Sequence, residues 1–141
     1  MQVGGIMNTT SCVIVVGYNG SRVHDIPKLR ELCKSLYNAR LILLVEQVQP
    51  NDDQVADHVC TTSFAEQDVA ASLELVVGCL KADLWKLIGV LPFSDRGVLL
   101  GAALASHFGL PGITPAEARA GLDKQIFRSL AEQDARAAEA A

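Results

Sequence analysis

Cys12-Val13-Ile14-Val15-Val16-Gly17-Tyr18-Asn19-Gly20 (CVIVVGYNG) is the stretch on which the fold turns. Its apolar, mostly β-branched run favours extended backbone. Because the run is continuous and does not alternate with polar residues, it reads as a strand covered on both faces of a parallel sheet. The two glycines that follow can take positive φ, so the strand leaves through a tight turn. In an open α/β sheet that exit borders the ligand crevice, which makes Gly17, Asn19 and Gly20 candidate substrate contacts.

Reading outward, Pro27–Tyr37 is predicted as a helix. Pro27 suits its first turn, and Ile26, Leu29, Leu32, Cys33 and Leu36 share one face. Arg40–Val45 (RLILLV) is a second continuous apolar strand, followed by a polar turn over Gln49–Gln54. His58–Phe64 reads as a short, less buried strand. Glu66–Leu80 reads as a helix with Val69, Leu73, Val76, Val77 and Leu80 on one stripe, and with Glu66 and Asp68 at its positive end. Leu87–Leu91 is a further strand. The helix Asp95–Phe108 after it is apolar almost all round, as expected of a helix buried between layers or covered by another domain.

This alternation predicts an open α/β fold: a mainly parallel, Rossmann-like sheet of about four to five strands with helices on both faces. Three regions are expected: an N-terminal arm (1–11), the α/β domain (12–112), and a junction (113–141) ending in a helical extension. The tail from Ala131 is strongly helix-forming without an apolar stripe.

Composition narrows the function classes. Half of the 141 residues are hydrophobic and 20% are charged, a globular composition with room for one domain. The net charge of −4 and the scattered Lys and Arg argue against nucleic-acid binding, which needs a concentrated basic face. No apolar run is long enough to span a membrane. The first residues show neither the basic nor the apolar region of a secretory signal. Cys12, Cys33, Cys60 and Cys79 lie in apolar segments at wide spacings with no C-x-x-C pair. They read as buried reduced thiols in a cytoplasmic protein.

Several motifs are absent. Gly17-x-x-Gly20 lacks the third glycine of a dinucleotide fingerprint, so a flavodoxin-like or other nucleotide-binding module is disfavoured. No phosphate-binding P-loop and no nucleophile elbow occurs. His24, His58 and His107 are too dispersed for a metal site, and no catalytic residue is assigned. Ser94-Asp95 is an N-cap signal at the mouth of a strand, where a helix N-terminus can alternatively meet a substrate anion. Arg96 beside it carries the planar fork that clamps carboxylates or phosphates. Ser94, Asp95 and Arg96 therefore join the candidate substrate contacts.

From Ser94 to Leu130 the punctuation resembles the junction of ATP-grasp carboxylate–amine ligases. The elements in order are Ser94-Asp95, an Ala-rich helix through Ala105, Phe108-Gly109-Leu110-Pro111-Gly112, a short helix Pro115–Ala120, then Asp123-Lys124 with Arg128 and Leu130. The upstream half is similar to that family's pre-ATP-grasp domain in strand order. The resemblance implies an enzyme family that uses ATP and magnesium to form an acylphosphate, which an amine attacks. It implies that Lys124 contacts ATP phosphate and that the loops at Gly17–Gly20 and Ser94–Arg96 border the acceptor substrate. It places the second lysine, adenine hinge, glycine-rich lid and magnesium ligands beyond residue 141. This portion is therefore expected to be truncated, to be inactive alone, not to retain ATP and magnesium, and to partner the missing ATP-grasp half or a homodimer mate. The alternative expectation is a stand-alone α/β binding or scaffold domain that docks a partner through the apolar helix 95–108.

Overall fold

The computed structural model describes residues 9–112 and 114–118. Four strands, β1 (Thr10–Tyr18), β2 (Arg40–Val45), β3 (His58–Thr61) and β4 (Trp85–Phe93), form one sheet in the order β3-β2-β1-β4. Every pairing is parallel. The helices are α1 (Asp25–Tyr37), the short α2 (Asp52–Val55), α3 (Val69–Ala82) and α4 (Val98–His107). Single 3-10 turns over Glu66–Asp68 and Asp95–Gly97 lead into α3 and α4. The fold is α/β with an open parallel sheet, as the alternation of elements predicts.

The two central strands explain why their sequences do not alternate. Val13, Val15, Leu41, Leu43 and Val45 face one core with Ile26 and Cys33 of α1. Cys12, Ile14, Val16, Ile42 and Leu44 face the other, with Val76 and Leu80 of α3 and Leu100 and Leu104 of α4. Each side of β1 and β2 has its own helical cover, so Cys12–Val16 and Leu41–Val45 are apolar at every position. Pro92, which has no N–H to donate, is tolerated because β4 is an edge strand.

Several sequence expectations need correction. On α1, Ile26 and Cys33 are buried, but Leu32 and Leu36 are exposed. The helix crosses the sheet on a narrower stripe than its apolar spacing allows, and ends at Asn38, whose left-handed φ of 51° accompanies bonds from the Asn38 and Ala39 amides to Lys34 and Cys33. The polar turn after β2 contains α2, and the strand expected over His58–Phe64 stops at Thr61. All four cysteines are free thiols, yet Cys79 is exposed and Cys60 only half-buried; Cys12 and Cys33 alone are buried. Burial pushes the Cys12 thiol up to about 12, with the Cys60 charge adding to it. Helix α4 buries Leu100, Gly101, Ala102, Leu104 and Ala105, and none of the exposed large apolar residues lies on it. Much of the apolar surface of this helix is thus buried inside the domain, while Val98, Leu99 and Ala103 stay partly exposed. No described helix is long and apolar enough to cross a membrane.

A polar staple joins α1 to the sheet. Asp57 accepts Arg30 Nη2–H at 2.8 Å, Arg30 Nε–H at 3.1 Å and the Leu41 amide at 2.7 Å, with Arg40 at 3.8 Å. Burial raises the Asp57 carboxyl, but the Leu41 amide and the two arginines outweigh it and hold the group below the usual aspartate range. A depressed folded pKa means that its stabilisation is complete above the unfolded pKa and is lost as pH falls through the folded value. Asp57→Asn is expected to cost about 1–2 kcal/mol at neutral pH. That gap should begin to narrow below roughly pH 4, where the unfolded carboxyl protonates, and should close once pH falls through the lower folded value. Urea midpoints at neutral and acid pH measure it, and a gap equal at both would rule out the charge as its source.

Candidate functional site

Strand order β3-β2-β1-β4 means that the chain progresses outward from β1 to β2 and β3, then crosses back to the other side of β1. β1 and β4 stay paired to their carboxyl ends, Tyr18 opposite Phe93, and a crevice opens at the loops that leave them at this switch point. It is a cavity of about 770 Å³ whose lining includes Gly17, Tyr18, Asn19, Gly20, Glu46, Phe64, Ser94, Asp95 and Arg96. The six residues singled out in the sequence as candidate substrate contacts, on two loops about 75 residues apart, all lie on this one cavity.

The close approach of the loops depends on glycine at two positions. Gly17 takes φ 69° at a register shift between β1 and β4, and a Cβ there would sit 2.5 Å from Ser94 Oγ and 2.9 Å from Phe64 Cε2. Gly97, at the end of the 3-10 turn, has Val16 O only 2.3 Å from where its Cβ would be. The Ser94–Arg96 segment is thus pressed against the end of β1. Gly20 does not take positive φ; the space beside it is open. Arg22 stacks over the Phe93 ring at 5.2 Å and ties the first loop to the end of β4.

Ser94 is not a side-chain cap. Its backbone is extended, its hydroxyl makes no capping bond, and it is the Ser94 carbonyl that accepts the Gly97 amide at 3.1 Å. The Ser94 hydroxyl instead faces Gly17. Arg96 is not a free clamp either. Its Nε–H and Nη2–H donate to Glu46 Oε1 and Oε2 at 2.6 and 2.9 Å. The Glu46 carboxylate also accepts the Phe64 amide at 3.3 Å. The hydrogen bonds from Arg96 hold the Glu46 carboxyl below its usual range, against a smaller opposing effect of burial.

Two residues that the sequence reading passed over organise the third wall. Asp52 at the start of α2 is buried, at 1% exposure, and accepts the Tyr18 hydroxyl and, at 2.7 Å, the Gln49 amide. Burial and then the Asp52 hydrogen bond push the Tyr18 phenol up to about 12, so it remains a proton donor. Asp52 sits in a run of polar turn residues, and nothing in that run marks it as the buried one. Glu46 follows the apolar β2 directly, and position at the carboxyl end of a central strand was the available signal.

Among the described residues, the cavity lining carries Glu46, Asp95 and Arg96, with no His, Cys or Lys. The groups it offers are amide and hydroxyl donors, carboxylate acceptors and one planar cation. No group of metal-ligating side chains is found among the described residues. Lys124, Asp123, Arg128 and Leu130, and with them the expected nucleotide contact, lie outside the described residues, as do most of the N-terminal arm and the C-terminal tail. Of the short helix expected over Pro115–Ala120, residues 115–118 are helical, with the Glu117 amide bonded to Thr114 Oγ1 at 3.1 Å. No family model matches the chain, and no curated protein does.

Proposed function

We propose that this chain supplies the acceptor-substrate side of an ATP-grasp carboxylate–amine ligase, with the crevice between the β1 and β4 loops holding the small polar acceptor. The observation that carries the reading is the convergence of Gly17–Gly20 and Ser94–Arg96 on one open cavity at the switch point of a parallel sheet. The order of motifs from Ser94 to Leu130 supports the family half of the proposal, and it assigns Lys124 to ATP phosphate, where a point cation offsets polyphosphate charge. The all-parallel sheet is compatible with this reading, although fold alone does not select a function.

Amide resonances of the full chain, followed by ¹H–¹⁵N NMR, test it. Within a panel of amino acids, small carboxylates and small amines, at least one compound is expected to shift Gly17–Gly20 and Ser94–Arg96 while leaving β3 and α1 unmoved. A panel that moves none of these amides removes the acceptor-site reading. Selective shifts with NAD or flavin mononucleotide would replace it with a nucleotide-binding one. Magnesium-ATP is expected to leave the amides of this chain largely unmoved, because in this reading the chain alone retains no nucleotide site; saturable binding of magnesium-ATP in the crevice itself would replace the acceptor reading with a nucleotide-binding one.

A further inference from the structure

Arg96 is the single cation among the described residues that line the crevice, and Glu46 already occupies its fork in the two-bond geometry that a ligand carboxylate would adopt. The two side chains come from different walls: Glu46 from the end of β2, Arg96 from the turn before α4. Their pairing reaches across the end of β1. Arg96 is 67% exposed and Glu46 34%, so water and solutes have access to the pair, and exposed pairs of this kind are held only weakly. A solute carboxylate can compete for such a fork. Glu46 need not lose its place when displaced, because the Phe64 amide holds one of its oxygens independently of Arg96.

We propose that Arg96 is the anion receptor of the crevice and that Glu46 is its built-in competitor, displaced by a ligand carboxylate and thereafter facing that ligand. Glu46 then determines specificity. Its carboxylate, together with Asp95, repels a second negative charge and accepts a hydrogen bond from a donor on the ligand, so the site takes monocarboxylates ahead of dianions. The planar pair geometry fits carboxylate better than tetrahedral phosphate. This inference rests on the crevice being a substrate site, as proposed above.

Acetate, malonate and inorganic phosphate are the probes, and the Arg96 Nε–Hε resonance is the direct readout. Wild type is expected to bind acetate more tightly than malonate or phosphate, with Arg96 Nε–Hε shifting along with the loop amides. Glu46→Gln retains a carbonyl for the Phe64 amide and is expected to tighten acetate binding about three- to fivefold, the size of one exposed ion pair, and malonate by more. Glu46→Asp, too short to span the fork, should also tighten acetate, and Arg96→Gln should weaken it at least tenfold. The inference is overturned if neither Glu46 variant tightens acetate, if phosphate binds best, or if both variants lose dispersed spectra and so show Glu46 to be structural. Loop amides that shift while Arg96 Nε–Hε stays fixed would defeat the inference and leave the acceptor site standing. Loop amides unmoved by the whole panel would defeat the acceptor site itself.

Discussion

Gly97→Ala is expected to destabilise the fold by about 3 kcal/mol, the upper end of what overpacking usually costs. The added methyl would lie 2.3 Å from the Val16 carbonyl oxygen and 3.0 Å from both its carbon and a Val16 side-chain methyl. These are atoms of the central strand, so relief requires the turn before α4 to lift away from β1. Such a cost is a large share of the roughly 5–15 kcal/mol that holds a domain of this size together. The same movement should displace Ser94–Arg96, visible as shifts of those amides even in the folded fraction. Gly78→Ala is the control: it is a helical position with no neighbouring atom within 4 Å, and the exchange should stabilise by about 0.5–1 kcal/mol because alanine loses less backbone freedom. Urea unfolding of the two variants is decisive. Equal midpoints would show that the contact with Val16 is not a constraint.

Leu104→Ala is expected to cost about 3 kcal/mol. Leu104 is fully buried in the core that Ile14, Val16 and Leu44 share with α3 and α4, and removing its branched end leaves a void that the surrounding side chains cannot fill. Leu36→Ala, at a residue 66% exposed on α1, is expected to fall within about 0.5 kcal/mol of wild type. The pairing is informative because both leucines belong to helical faces that look apolar in the sequence. Comparable losses at the two positions would mean that the exposed end of α1 is covered by a partner in solution.

That contrast shows where sequence reading reaches its limit. Helix amphipathicity reports which side a helix turns inward, but it does not report how much of its length finds something to pack on. On α1 the buried stripe is narrow: Cys33 is inside, while Leu32 and Leu36 beside it on the apolar face are left outside. On α4 the near-uniform apolarity looks like a surface awaiting a partner. It fits equally a helix buried between layers, and the residues that α4 buries pack against β1, β4 and α3 in the same domain. Ser94 illustrates the same limit at one residue: Ser before Asp at a strand end has the composition of a cap, yet the Ser94 backbone supplies the bond and the hydroxyl turns toward Gly17.

The crevice was legible in part. Glycines after a buried strand, and Ser-Asp-Arg after another, mark strand exits. In a parallel α/β sheet all such exits lie at one edge, so the two loops could be named as neighbours without coordinates. Asp52 and Glu46 were not legible in this way. Asp52 is buried because a short helix folds it under Tyr18, a contact between residues 34 apart in the chain. Glu46 matters because Arg96, 50 residues away, reaches it.

By itself, then, the sequence determined the class of fold and the edge at which the candidate crevice lies. Continuous β-branched runs require cover on both faces, and strand exits follow from turn chemistry that is local. Tertiary structure alone decided the order β3-β2-β1-β4, what α4 packs against and the pairing of Glu46 with Arg96. Each of these depends on which distant segments meet, and periodicity along the chain carries no record of that.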